Sequence, residues 1–197
     1  MNGGRRAPGI GVAWVVVLAV GVLGLSACTG DDPPPQPTAT ATATAQPSPS
    51  VTPPVAPEEA PTPKSAEAFV KYFWDVHNYS YVTLDTALFK SISDPECTFC
   101  TSTIDDLETL KNTGSRAEGS SVQLLIAAAP PGKIGSRVLV STVISQKPGI
   151  EIHKDGSTET FPGMPKTNSS VALSWATGQW IVHDISIDKI EKTDAPR

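Results

Sequence analysis

Hydrophobic and polar residues are unevenly distributed along this chain of 197 residues. An uncharged apolar stretch covers residues 10–25, and a segment rich in proline, threonine and alanine continues to residue 63. Residues 64–190 then mix apolar and polar positions with the periodicities of helices and strands, which a folded core requires. We therefore predict a single globular domain at residues 64–190 and a flexible polar tail at 191–197.

Apolar residues spaced three and four positions apart predict three helices at the start of this domain. The first helix begins after a cap at Ser65, and a short second helix starts near Asp85. The third has Asp94 as its cap and Pro95 in its first turn, and it ends at Gly114. The apolar face of the first helix consists of Ala66, Phe69, Val70, Phe73, Val76 and His77, and its opposite face of Lys71, Asp75 and Asn78.

The remainder of the domain is typical of antiparallel strands. Asp155-Gly156 and Thr177-Gly178 are hairpin signals, and the second places Trp175 opposite Trp180. Helices followed by a series of strands predict an α+β fold, in which three N-terminal helices pack on a curved antiparallel sheet. The segments rich in β-branched residues, which define the predicted strands, are 122–129, 134–146, 150–153, 170–176 and 179–187.

The N-terminal segment has the features of an export signal. Arg5 and Arg6 are basic, and the 16 uncharged residues that follow at 10–25 are fewer than the roughly 20 of a membrane-spanning helix. Leu25-Ser-Ala-Cys28 resembles the lipobox of bacterial lipoprotein precursors, which implies a lipoprotein signal peptide at 1–27 and a lipid on Cys28. The protein would then be anchored at the extracytoplasmic face of the cell membrane. An uncleaved single-pass anchor is the alternative.

Residues 28–63 are predicted to be a disordered tether that begins with the lipidated cysteine. Eleven prolines lie between residues 29 and 63, and large apolar residues are almost absent there. Such a segment cannot bury enough surface to offset its conformational entropy. It would hold the domain at a distance from the membrane surface.

Composition and motifs exclude several classes of protein. The formal net charge is −5 and no basic cluster is present, so nucleic acid is not an expected partner. The chain has no Gly-x-Gly-x-x-Gly, phosphate-loop, His-Glu-x-x-His or Gly-x-Ser-x-Gly pattern. We therefore predict no cofactor, no metal and no catalytic residue.

Cys97 and Cys100 are spaced to form a disulfide on the first turn of the third helix. Export to an oxidising compartment favours this pairing. A thiol oxidoreductase is the functional alternative, because a helix N-terminus lowers the pKa of a cysteine. Against that alternative, this Cys-x-x-Cys follows no strand of a βαβ unit, and Asp94 and Glu96 add negative charge beside it.

Three stretches of the domain carry a resemblance to known families: Phe69-Val-Lys-Tyr-Phe-Trp74, Ser93-Asp-Pro-Glu-Cys-Thr-Phe-Cys100 and Gly178-Gln-Trp-Ile-Val-His-Asp-Ile185. With the leader, the first two resemble a family of predicted actinobacterial lipoproteins of unknown function. The third, with the order of helices and strands, resembles the nuclear transport factor two-like superfamily, whose domain is a cone. That superfamily includes isomerases, cyclases and dehydratases, and also members that only bind ligands or partners, so the fold alone does not assign a function.

The cone-shaped fold implies that the first helix and the last strands border one cavity. Tyr72, His77 and His183 are therefore the candidate ligand-binding residues, although a histidine on an apolar face is more often structural. Strict alternation puts His183 on one strand face with Ile185, and Asp184 on the other unless a bulge intervenes. Tyr72 and Asp184 are also possible acid or base groups of an isomerase-like site.

The sequence thus predicts an extracytoplasmic lipoprotein whose domain is a non-catalytic binding module. Its partners would be the membrane, through Cys28, and either a small apolar ligand or another envelope protein. The alternatives are an isomerase or dehydratase that uses the cavity and, with less support, an envelope thiol oxidoreductase that uses Cys97 and Cys100.

Overall fold

The computed structural model describes residues 51–58, 60–132 and 134–188. The predicted signal peptide, Cys28, most of the tether and the tail lie outside these residues. None of the described helices is both long enough and apolar enough to cross a membrane. The described elements are α1 (Pro63–Thr83), α2 (Ala87–Ser91), α3 (Thr98–Thr113), β1 (Arg116–Gly119), β2 (Val122–Ala128), β3 (Arg137–Gln146), β4 (Gly149–Ile152), β5 (Thr158–Phe161), β6 (Met164–Ala176) and β7 (Gln179–Ile187).

Both long helices begin at a different cap from the one predicted. Thr62 caps α1 by accepting a hydrogen bond from the backbone N–H of Ser65, with Pro63 in the first turn. Ser65 is instead buried, and its hydroxyl accepts a hydrogen bond of 3.1 Å from Trp180 Nε1. Helix α3 is capped by Cys97, because Asp94 forms a turn that precedes the helix. Its predicted end at Gly114 is confirmed, with φ of 71°.

The strands form two antiparallel sheets, so the α+β class is confirmed but the predicted single sheet is wrong. The four-stranded sheet has the order β2-β3-β6-β7, and the three-stranded sheet has the order β1-β4-β5. The hairpin predicted at Asp155-Gly156 is confirmed, because β4 pairs with β5 across this turn. Strand β1 was not predicted, because it is short, polar and largely exposed. It forms because its backbone pairs with β4, which is a tertiary contact without a local sequence signal.

A β-bulge interrupts the pairing of β6 with β7. Ala172 pairs with Asp184 and Leu173 pairs with Val182, which leaves His183 as the extra residue. The bulge shifts the alternation, so that Val182 and Ile185 are both buried. The predicted common face of His183 and Ile185 is therefore wrong. The predicted pair of Trp175 and Trp180 is confirmed, with ring centroids 5.1 Å apart.

The core lies between α1 and the four-stranded sheet, and the predicted apolar face of α1 is buried as a whole. Asn78 does not face solvent as predicted. Its amide nitrogen donates to the carbonyl of Val122 and its amide oxygen accepts from the N–H of Val122, at 2.8 and 2.9 Å. These two bonds fasten the helix to the start of β2. The largest fully buried side chains of the sheet are Trp180, Ile144, Leu173, Val140 and Val171.

Gly163 lies where the chain passes from β5 into β6, and thus from one sheet to the other. A β-carbon at this position would lie 2.5 Å from the carbonyl oxygen of Gln146 and 2.8 Å from the nitrogen of Pro148. Real β-carbons do not approach backbone atoms this closely, so the crossing requires glycine.

Candidate functional site

A cavity of about 450 Å³ lies between the helices and the three-stranded sheet. Its lining includes Leu110 of α3 and Phe161 of β5. A second, smaller cavity of about 260 Å³ adjoins it, against α1 and the four-stranded sheet. Tyr81, Asp106 and Gln146 line both cavities, which are therefore neighbouring parts of one depression that we call the cone cavity.

Aromatic side chains line the smaller part of the cone cavity, against α1. The ring of His77 lies 5.4 Å from that of Trp74, 4.9 Å from that of Tyr81 and 6.1 Å from that of Phe99, between centroids. His77 is 5 % exposed, and this burial lowers its pKa from 6.5 to about 4. The imidazole is consequently neutral at physiological pH, so it adds no charge to an otherwise apolar wall.

Trp74 has a hydrogen-bond donor without a partner. Its side chain is 2 % exposed and lines the smaller cavity, and no acceptor among the described residues reaches its Nε1. An unsatisfied buried donor is costly, typically about 1–3 kcal/mol, and rare in folded proteins. The Nε1 atom is itself inaccessible to solvent, so Trp74 offers the cavity its ring surface and not its donor.

The larger part of the cone cavity is acidic. Burial, followed by the charges of Asp105 and Glu151, raises the pKa of Asp106 above its ordinary value. Burial, followed by the charge of Asp106, raises the pKa of Tyr81 to about 12. Asp106 and Glu151 both line this part of the cavity, so their charges oppose the entry of an anion.

The structure places the three predicted ligand-binding residues in different surroundings. His77 lines the cone cavity. Tyr72 is 6 % exposed and belongs to the core, with its ring 6.1 Å from that of Phe69. His183 lies between Asp94 and Ser174, while its neighbour Asp184 is exposed. A ligand contact for each of the three stays a prediction.

The predicted disulfide between Cys97 and Cys100 is present in the structure. Both cysteines are fully buried, and Cys97 is the cap residue of α3. A redox-active disulfide must present a sulfur to an attacking thiolate, which burial of both residues opposes. Within residues 51–58, 60–132 and 134–188, no group of three His, Cys, Asp or Glu side chains is arranged to hold a metal ion.

Sequence reasoning missed most residues of the cone cavity. Trp74, His77 and Tyr81 follow one another at helical spacing, which is a signal that could have identified the aromatic wall of α1. Asp106 and Glu151 have no comparable signal. They meet because α3 and β4 are brought together by the fold.

These features define an α+β domain with helices on antiparallel sheets and a cavity of ligand size. The chain belongs to a family of unknown function, DUF6318, whose family model matches residues 36–186. No curated protein matches the chain significantly.

Several solved structures are similar in part. The intermembrane space region of chloroplast protein ARC6 is 12% identical with a TM-score of 0.45, over 66% of this chain and 98% of that chain. An uncharacterised protein with a cystatin-like fold from Caulobacter vibrioides is 14% identical with a TM-score of 0.37, over 61% of this chain and 87% of its own. A putative calcium/calmodulin-dependent protein kinase II association domain from Xanthomonas campestris is 12% identical with a TM-score of 0.36, over 71% of this chain and 99% of its own. We draw nothing about function from them.

Proposed function

We propose that the protein is an extracytoplasmic lipoprotein whose domain binds a small apolar ligand in the cone cavity without catalysis. The observation that carries this proposal is the aromatic wall of Trp74, Tyr81 and Phe99, which lines a cavity large enough for a small molecule. Aromatic rings of this kind are suited to an apolar molecule that packs against them.

The charges around the cavity narrow the class of ligand. Asp106 and Glu151 oppose an anion, and the buried His77 is neutral. The ligand class is therefore neutral or cationic, with an aromatic or aliphatic body that packs against Trp74 and Phe99.

The anchoring half of the proposal depends on the leader and on Cys28. A lipid on Cys28 would give the two acyl chains that stable membrane attachment needs. Cys28→Ala should abolish metabolic labelling with a radioactive fatty acid and release the protein from the membrane fraction. Unchanged labelling of that variant would contradict the lipidation site.

The binding half is tested with a neutral fluorescent probe, N-phenyl-1-naphthylamine, and the full-length chain. Thr109 is exposed on α3 and lines the cavity, so Thr109→Trp should fill part of it and weaken probe binding at least about tenfold. Lys111→Trp is the matched control, because Lys111 is exposed on the same helix outside the cavity lining. Equal binding by both variants, or no binding by the parent chain, would contradict the proposal.

A second variant tests the aromatic wall. Trp74→Phe keeps an aromatic ring of smaller area, so it should weaken probe binding several-fold, because the aromatic rings of the probe lose contact area. Thermal unfolding of the same sample separates this effect from a loss of folding. Native mass spectrometry of the exported protein would in addition identify any small molecule that copurifies.

A further inference from the structure

A serine, a histidine and an aspartate form a continuous line of hydrogen bonds on the outer side of the four-stranded sheet. Ser174 Oγ lies 2.7 Å from His183 Nε2, and His183 Nδ1 lies 2.7 Å from Asp94 Oδ2. None of the three lines the cone cavity. We call these residues the outer-face triad.

The hydrogen-bond partners of His183 determine which of its two ring nitrogens carries the proton. An ionised carboxylate only accepts hydrogen bonds, so Nδ1 of His183 must carry the proton that faces Asp94. Nε2 is then an acceptor, and the hydroxyl of Ser174 donates to it. This is the arrangement of a nucleophile, a general base and the group that orients the base.

The fold holds each end of the triad in place. His183 is the bulged residue of β7, and the bulge directs its side chain to Ser174 on β6. Asp94 is fixed through its backbone N–H, which donates to the carbonyl of Val182 at 2.8 Å. Its second carboxylate oxygen accepts from the N–H of Glu96 at 2.8 Å, which leaves Oδ2 directed at His183.

The disulfide stabilises the turn that contains Asp94. The backbone N–H of Cys97 donates to the carbonyl of Asp94 at 3.0 Å, and Cys97 is bonded to Cys100 in the first turn of α3. The turn is therefore held between α3 on one side and β7 on the other. This gives the buried disulfide a positioning role for the aspartate.

The neighbours of Ser174 on the same sheet face supply a cation and an apolar surface. Arg137 pairs with Ser174 from β3, and Ile181 pairs with it from β7, so both side chains share its face. Arg137 is exposed and forms no ion pair with the acidic side chains that the structure describes. Leu139, two residues along β3, is 57 % exposed. His183 and Asp94 are themselves 25 % and 21 % exposed, so solvent and a small molecule reach the triad.

From this arrangement we propose that Ser174 is a nucleophile that takes the acyl group of small apolar esters. Ser174 Oγ attacks the ester carbonyl carbon while its proton passes to His183 Nε2. The bond from that carbon to the alcohol oxygen breaks, and His183 returns the proton to the departing alkoxide. Arg137 faces the negative charge that develops on the carbonyl oxygen.

Water completes the turnover. His183 takes a proton from a water molecule whose oxygen attacks the acyl carbon, and the bond to Ser174 Oγ breaks. Ser174 recovers the proton from His183, and the carboxylic acid leaves. Asp94 is a positioning residue in both steps, because it contacts only the imidazole. No oxidant, metal or further reactant is needed.

The test uses the full-length oxidised chain and p-nitrophenyl butyrate. We expect a burst of p-nitrophenolate equal to the protein concentration and one butyryl group on the peptide that contains Ser174. Ser174→Ala should abolish both, and His183→Ala should slow the burst at least about 100-fold. Added imidazole should restore part of the rate of His183→Ala, which a merely structural histidine would not allow.

Ser170 provides a matched control, because it lies on the same strand and face and pairs with Ser141 and Ser186 rather than with a histidine. Ser170→Ala should keep the full burst. Asp94→Asn should slow acylation about tenfold or more, and the slowed burst should still be lost in the variant that also carries Ser174→Ala. Acylation or ester hydrolysis that persists in Ser174→Ala, or release of p-nitrophenolate by the folded parent chain that is no faster than in buffer alone, would overturn the proposal. Neither of these two results would affect the proposed ligand binding in the cone cavity, which is tested separately with the fluorescent probe.

Discussion

The two sheets of this domain have different roles, although the chain passes from one sheet to the other and back. The four-stranded sheet buries alternate side chains of β3 and β6 against α1. The three-stranded sheet buries only Gly149 among its residues, and β5 is exposed along its whole length. Stability therefore resides in the first sheet, whereas the second forms a wall of the cone cavity. A cavity wall that contributes little to stability is free to differ in sequence without unfolding the domain.

The largest expected effect comes from removing a core side chain that packs on the four-stranded sheet. Phe73 is fully buried, so Phe73→Ala should lower the free energy of unfolding by about 3–5 kcal/mol. Phe161→Ala removes the same group from the three-stranded sheet, where it is 41 % exposed, and should cost less than about 1 kcal/mol. Urea denaturation of the two variants measures both values. Equal losses would remove the distinction between the sheets.

A second prediction concerns pH and the buried face of α1. The unfolded chain protonates His77 near pH 6.5, whereas burial keeps it neutral in the fold until about pH 4. Between these values the unfolded state binds more protons than the folded state. The contribution of the neutral His77 to the free energy of unfolding is therefore fully present above about pH 6.5 and is lost as the pH falls towards 4. The shift in the pKa of His77 corresponds to about 3 kcal/mol of unfolding free energy.

His77→Gln should flatten the pH dependence, because glutamine does not titrate. His183→Gln is the control and should leave the decrease in place, since His77 is retained. Asp106 acts in the opposite direction, because a raised carboxyl pKa favours the folded state in acid. A decrease of equal size in His77→Gln and the parent chain would assign the pH dependence to other groups.

A smaller effect is expected at the junction between α3 and β7. Cys97→Ala combined with Cys100→Ala opens a very short loop and should cost about 2 kcal/mol of unfolding free energy. A reductant should destabilise the parent chain by a similar amount and leave the double variant unchanged. A parent chain that does not respond to reductant after full denaturation and refolding would contradict a stabilising disulfide.

The smallest change in stability should accompany a clear change in binding. Phe161 lines the larger part of the cone cavity, so Phe161→Ala should weaken binding of N-phenyl-1-naphthylamine several-fold while the melting temperature changes by only a few degrees. Val82→Ala, at the exposed end of α1, is a control for loss of an exposed apolar side chain outside the cavity lining. Its probe affinity should match that of the parent chain.

Local signals in the sequence predicted those elements whose stabilising contacts are also local. The apolar face of α1, the end of α3 at Gly114 and the hairpin at Gly178 follow from helical periodicity and from glycine at positive φ. The hairpin of β4 and β5 also follows from its local signal, Asp155-Gly156. Strand β1 was missed, because its partner β4 is distant in the chain and its side chains are polar. The caps were misplaced by a few residues, since Ser65 and Asp94 are good caps in isolation but are used in tertiary contacts instead.

The candidate sites depended still more on long-range contacts. His77 could be identified from its position on the apolar face of a helix. His183 was expected to face the cavity with Ile185, and one extra residue in β7 turned it outwards to Ser174 and Asp94. A bulge changes every side-chain direction beyond it and has no local sequence signal here.

The sequence by itself determined the α+β class, the helices, most strands and the pairing of Cys97 with Cys100, because periodicity, turn residues and short spacing are properties of neighbouring residues. Tertiary structure alone decided that the strands divide into two sheets and that Trp74 lines a cavity. It also brought Asp94 within hydrogen-bond distance of His183, which lies far along the chain and contacts Ser174 on the neighbouring strand. Contacts of this kind depend on strand register and on loop closure, and both are determined only when the whole core packs.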